Sequence, residues 1–381
     1  MFFQSDRPVQ RTAVGCGLVA WDVVLSPESH VVYSGVGGTV GNVLSILSFL
    51  GWHSVPIVRL GADNAGLRVL QDLVSAGVDT SAICLDKSLR TPIVYQTREP
   101  LRGHHTFSFR CPRCGLSRRY SPASLQGVDR AGEPLRRGDV FFYDRVTPEV
   151  VSLAERARLN GATTVFEPSA LDHDQDLVSR ALRAARVVKY SSDRLEPASL
   201  EALDAGFVEI QTLGAKGLRF RMRSLDPSWV DLAALPGVSV VDAAGAGDWC
   251  TAGFLYALDS LAIEAAPSDL GYNRIHAALK AGQFLAAMNC ATIGARGLMR
   301  SISPIELLTH LNTFVDGGDG GSWQSVNLVE RMGLAQTDPA PRQSVHLPHA
   351  GQGPALCECA VGFGTCLAGG GGPTTGGGSL H

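Results

Sequence analysis

The run Val240-Val-Asp242-Ala-Ala-Gly245-Ala-Gly247-Asp248 leads into the apolar stretch 249–258, so a glycine-rich turn joins two apolar segments and closes on an acid. That order reads as a strand, a turn and a helix. Free amides at a helix N-terminus, approached closely where glycines remove side chains, form a pocket for phosphate oxygens. Asp248 can cap such a helix, or it can take a proton from a hydroxyl held beside the anion. The residues alone weigh these two roles about equally. A second constellation is Cys111-Pro-Arg-Cys114-Gly115, the spacing of a zinc half-site in which a tight turn aims two thiolates at one ion. His104, His105, Cys357, Cys359 and Cys366 are the candidates for the remaining ligands. A reduced surface pair or a redox-labile pair fits the same spacing. No Gly-Lys-Ser/Thr occurs, which excludes a Walker-type phosphate loop, and the glycines at 35, 37 and 41 miss the dinucleotide spacing by one residue.

The segments that must position these residues alternate in type. Apolar runs at 14–20, 54–60, 140–143, 164–166, 187–189, 209–213 and 217–222 read as strands. Helical patterns fall at 42–51, 64–76, 148–160, 174–185, 248–261 and 275–293. Strands separated by helices of this length indicate βαβ units and a mainly parallel sheet. Residues 91–97 and 106–110 break that rhythm and read as a strand pair, a small β insertion over about 84–125.

Composition bounds the rest. The chain has 381 residues, 33 basic and 36 acidic, for a formal charge of −3, with 45% hydrophobic and 18% charged residues. That supports a large core and gives no basic field, which argues against nucleic-acid or electrostatic membrane binding. No run approaches the ~20 apolar residues of a membrane helix. No basic segment leads into an apolar one near Met1, so a cytoplasmic protein is expected. Glycine crowds the end of the chain, from Gly317 to Gly378. The folded body is therefore expected at 1–315 and a disordered, cysteine-containing tail at 316–381.

Asp242-Ala-Ala-Gly-Ala-Gly-Asp248 resembles the signature of the ribokinase-like (PfkB) carbohydrate kinases, with Ala243 where Thr is usual. Gly37-Gly38-Thr-Val-Gly41-Asn42 and the following Gly61-Ala-Asp63-Asn-Ala-Gly66 resemble that family's di-glycine signature and its companion. Thr212-Leu-Gly214-Ala-Lys-Gly217 is similar to the nucleotide-side loop. These four ordered matches span about residues 13–315. The resemblance implies an α/β fold, a doubly wound and mainly parallel sheet with a small β lid, and transfer of the ATP γ-phosphoryl group to an alcohol. It implies Asp248 as catalytic base, with Gly245, Ala246 and Gly247 as the anion hole. Asp22, Gly38, Asn42 and Asp144 become substrate contacts, and Thr212, Gly214 and Gly217 nucleotide contacts. It further implies Mg2+ with the ATP, a sugar or nucleoside acceptor, and a homodimer through the lid.

One departure stands out. Members usually carry Asn-Xaa-Xaa-Glu after the strand near residue 188, where it organises magnesium and phosphate. Here Ser191 and Arg194 fall at those places, with Asp193 one position off. A regulator that keeps the pocket without turnover is therefore the rival expectation. A third is a scaffold whose function lies in its cysteines and tail.

Overall fold

The computed structural model describes residues 11–26, 30–98, 105–123, 135, 139–169, 171, 174–195, 208–222, 226–260 and 271–316. Short apolar strands buried on both faces build an eight-stranded sheet. Its strands are β1 (Thr12–Cys16), β4 (His53–Pro56), β9 (Val140–Tyr143), β10 (Thr163–Phe166), β11 (Val187–Ser191), β12 (Val208–Thr212), β13 (Gly217–Met222) and β14 (Asp226–Ala233). The order is β14-β13-β12-β11-β10-β9-β1-β4. Pairing is parallel from β4 to β12, and β13 and β14 close that edge antiparallel.

Helices cover both faces, which divides the interior into two cores. On one side α1 (Thr39–Phe49), α5 (Ala246–Ser260) and α6 (Tyr272–Cys290) pack around the fully buried Trp249, Phe254 and Phe284. On the other, α3 (Pro148–Leu159) and α4 (Gln175–Ala184) pack on Phe141, Tyr143 and Phe166. The chain leaves β1 toward β4 on one side and later returns to β9 on the other. That reversal opens a crevice at the C-terminal ends of the strands, the usual ligand position in such sheets.

A four-stranded sheet stands over that end, in the order β3-β2-β7-β8, from β2 (Ala20–Leu25), β3 (Val31–Gly37), β7 (Ile93–Arg98) and β8 (His105–Ser108). The sequence expectation caught only its second half. The expected strand 14–20 divides at Gly17: β1 ends at Cys16, and the next strand belongs to the small sheet. Residues 31–37, for which no strand was expected, form β3 and carry Gly35 and Gly37. The expected tail at 316–381 lies almost wholly outside the described residues, as do His104, Cys357, Cys359 and Cys366. No helix among the described residues is long and apolar enough to cross a membrane.

Candidate active site

The loop before α5 is held by its own first acid. Asp242 accepts hydrogen bonds from Ala244 N and Gly294 N, both at 2.8 Å. The Trp249 indole donates to Ala295 O at 2.9 Å, and the Asn289 amide donates to Ala244 O at 2.9 Å. Gly245 has φ +74°, and a Cβ there would stand 2.5 Å from the Cα and O of Ala295. Only glycine fits that turn. Among the described residues the N–H groups of Gly245, Gly247 and Asp248 donate to no backbone carbonyl outside α5. They remain available for an anion at the positive end of the helix.

Asp248 faces the start of α1. The Asn42 Nδ2 donates to Asp248 Oδ2 at 2.7 Å across 206 residues of sequence. Burial pushes the Asp248 carboxyl up to about 8; Glu167 adds to the rise, while Asn42, Lys189 and Arg194 oppose it. Beneath the loop, buried Lys189 donates to Glu167 Oε1 at 2.7 Å, and Thr251 of α5 donates to Glu167 Oε2 at 2.8 Å. This pair sets the field in which Asp248 ionises.

The small sheet contributes Asp22, opposite Gly35 of β3. A Cβ on Gly37 would fall 1.8 Å from Asp22 Oδ2, so that glycine is what gives the carboxylate its room. Burial pushes Asp22 up to about 7, against the pull of the Arg296 guanidinium. Gly38 stands just before α1, where it precedes the helix at φ +78°. Three buried polar atoms here have no protein partner: Asp22 Oδ1, Asn42 Oδ1 and Arg296 Nε. Orphans of this kind call for a ligand or ordered water.

Asp144 lies at the end of β9 with its carboxylate already engaged. Leu18 N donates to Oδ1 at 2.9 Å, Arg145 donates to Oδ2 at 3.1 Å, and the Thr39 hydroxyl also bonds to it. It fastens the turn after β1 to the first residue of α1. Thr212, Gly214 and Gly217 lie together three strands further on, in the tight connection between β12 and β13, where Leu213 N bonds to Gly217 O. The structure thus links Asp248, at the end of the Gly245-Ala246-Gly247 turn, to Asn42, ties Asn42 N to Gly38 O, and sets Asp22 against the neighbouring Gly37, with the 212–217 loop further along the same end of the sheet.

The expected zinc site finds no support. Among the described residues no group of three or more His, Cys, Asp or Glu side chains gathers to hold an ion. Cys111 and Cys114 do sit in a tight turn, with Gly115 N bonded to Cys111 O and Cys111 N to Leu116 O. Their surroundings differ: Cys111 is buried in the main core and Cys114 is exposed. Magnesium held by protein carboxylates does not fit either. Glu167 is committed to Lys189 and Thr251, and Glu209 to Tyr190 and Arg221. Asp193 stands in an exposed turn beside Arg194, whose charge disfavours a cation there.

Sequence reasoning missed Glu167, Lys189, Asp72 and Arg296. Glu167 and Lys189 had a signal, since each is a charge adjoining or within an apolar strand run, at the end of the sheet where ligands bind.

A doubly wound sheet, a β lid across its switch point and an anion loop ending in an acid define a ribokinase-like kinase. The chain belongs to the pfkB family of carbohydrate kinases, whose model matches residues 20–301. Solved structures of the same fold include aminoimidazole riboside kinase from Salmonella enterica, crystallised with aminoimidazole riboside and an ATP analog. It is 22% identical with a TM-score of 0.62, over 78% of this chain and 99% of that one. A fructokinase double mutant from Vibrio cholerae O395, with fructose, ADP and potassium bound, is 21% identical at a TM-score of 0.61, over 77% and 96%. An uncharacterized sugar kinase from Pyrococcus horikoshii is 19% identical at a TM-score of 0.60, over 80% and 99%. No curated protein gives a significant match.

Proposed function

We propose that residues 1–315 form an ATP-dependent kinase that phosphorylates a hydroxyl of a sugar or a sugar-bearing small molecule. The observation that carries this reading is the Asn42–Asp248 hydrogen bond, on the helix that follows the Gly37 against which orphaned Asp22 stands. It joins an acid at an anion-binding helix start to groups suited to sugar hydroxyls.

In this account Asp22 and Asn42 hold the acceptor through its hydroxyls. Asp248 takes the proton of the reacting hydroxyl as its oxygen attacks the γ-phosphorus. The bond from phosphorus to the β,γ-bridging oxygen breaks, and its electron pair leaves with ADP. The free amides of Gly245, Gly247 and Asp248 stabilise charge on the transferring phosphoryl group, while Ala246 N closes the turn onto Ala243 O. The lid covers the cleft and excludes water. Asp144 positions the floor by tying Leu18 to Thr39, and the loop with Thr212, Gly214 and Gly217 receives the nucleotide.

The rival reading, a binding regulator without turnover, draws on Arg194 and on Asp248 standing near pH 8. A phosphoryl-acceptor screen with purified protein, ATP and Mg2+ separates the two. Acceptor-dependent ADP release over a panel of sugars and nucleosides supports the kinase. Binding of an acceptor with no ADP above background supports the regulator.

A further inference from the structure

The turn after β11 begins at Ser191, which pairs with Thr212 in the sheet, and Ser192 N donates to Thr212 O at 3.0 Å. Arg194 N and Leu195 N both donate to Ser191 O, so the turn is closed and tied to the start of the 212–217 loop. Arg194 also lies close enough to Asp248 for its charge to favour the ionised carboxylate. Its backbone is thus anchored beside the loop assigned to the nucleotide, and its charge is felt at the acid assigned to phosphoryl transfer.

Several neighbouring cations on this edge are committed, while Lys216, within the 212–217 loop itself, is exposed. Lys189 is bonded to Glu167 and Arg221 to Glu209, while Arg219 bonds to Gln211 and stacks on Trp229. Arg145 is held by Asp144 and Ser169. Arg194 is exposed and makes no hydrogen bond or ion pair through its guanidinium among the described residues. Of the carboxylates here, Glu167 and Glu209 are spent on other partners, and Asp193 is exposed directly beside Arg194. This end of the cleft is thus built to meet an anion with protein cations and amides.

We infer that Arg194 binds the phosphate chain of the nucleotide donor directly, so that the protein's own guanidinium supplies charge that a carboxylate at this place could supply only through a metal. A planar guanidinium can donate two parallel hydrogen bonds to phosphate oxygens, and it stays charged at any working pH. This rests on the kinase reading above, and it requires that nucleotide affinity depend little on divalent metal.

Isothermal titration with ATP and with AMP, each in EDTA and in Mg2+, tests it on wild type, Arg194→Ala and Arg194→Glu. Wild type should bind ATP in EDTA. Arg194→Ala should bind ATP about tenfold to a hundredfold more weakly there, as loss of a charged hydrogen bond implies, with AMP affinity nearly unchanged. Arg194→Glu should lose still more in EDTA and recover part of the loss when Mg2+ is added. Equal ATP affinity for wild type and Arg194→Ala would overturn the inference while leaving the kinase reading standing. So would an equal loss of AMP and ATP. Wild type that binds ATP in neither buffer would bring down the kinase reading itself.

Discussion

Replacing Asn42 with Ala should move the pH dependence of catalysis toward alkali. The Asn42 amide donates to Asp248 at 2.7 Å, and it opposes the burial and the Glu167 charge that push the carboxyl up to about 8. A hydrogen bond to a charged group contributes ~1.5–3 kcal/mol, and half of that is a fair allowance where solvent reaches the cleft. At ~1.4 kcal/mol per pKa unit, the loss raises the Asp248 pKa by about one unit. A general base works only when ionised, so kcat/KM rises with pH through this pKa. The alkaline plateau of the variant should therefore begin about one unit higher than in wild type. In the proposed account Asn42 also contacts the acceptor, so the plateau itself should fall, but the position of the limb is the diagnostic. Stopped assays of kcat/KM from neutral to alkaline pH measure it. A lower plateau with the limb unmoved, or a limb shifted toward acid, would refute the coupling of Asn42 to the base.

Two further substitutions separate acceptor from phosphate. Asp22→Ala removes the orphaned carboxylate on the lid side, and the KM for acceptor should rise about tenfold or more with ATP affinity unchanged by titration. Gly245→Ala forces a Cβ into the Ala295 backbone at a positive φ. Strain and overpacking should cost at least ~2 kcal/mol in urea unfolding and lower kcat by distorting the anion loop; wild-type stability would contradict the geometry.

The parallel sheet was legible because strands buried on both faces appear as uninterrupted apolar runs between helices. The 242–248 turn was legible because its signal is local: two glycines and an acid within nine residues set the turn, the helix start and the candidate base together. The lid was half hidden. Residues 20–25 continue the apolar run of β1, and nothing local except Gly17 marks where the chain leaves one sheet for the other. Long-range partners were harder still. Arg296 meets Asp72 across 224 residues, and Asp72 in turn accepts from Val36 N on the lid strand. No local pattern announces such a brace. The cysteine pair misled for the opposite reason: its spacing is local, but the core claimed one of the two thiols.

The central claim is that Asp248 removes the acceptor proton while the loop before it holds the phosphoryl group. Asp248→Asn keeps the size of the side chain and can still pair with Asn42, but it cannot take the proton. Single-turnover phosphoryl transfer with a turned-over acceptor from the screen, alongside ATP titration of the same variant, reads both halves at once. The account predicts a rate lower by ~10²–10⁴-fold with ATP affinity retained. Transfer at the wild-type rate would contradict it.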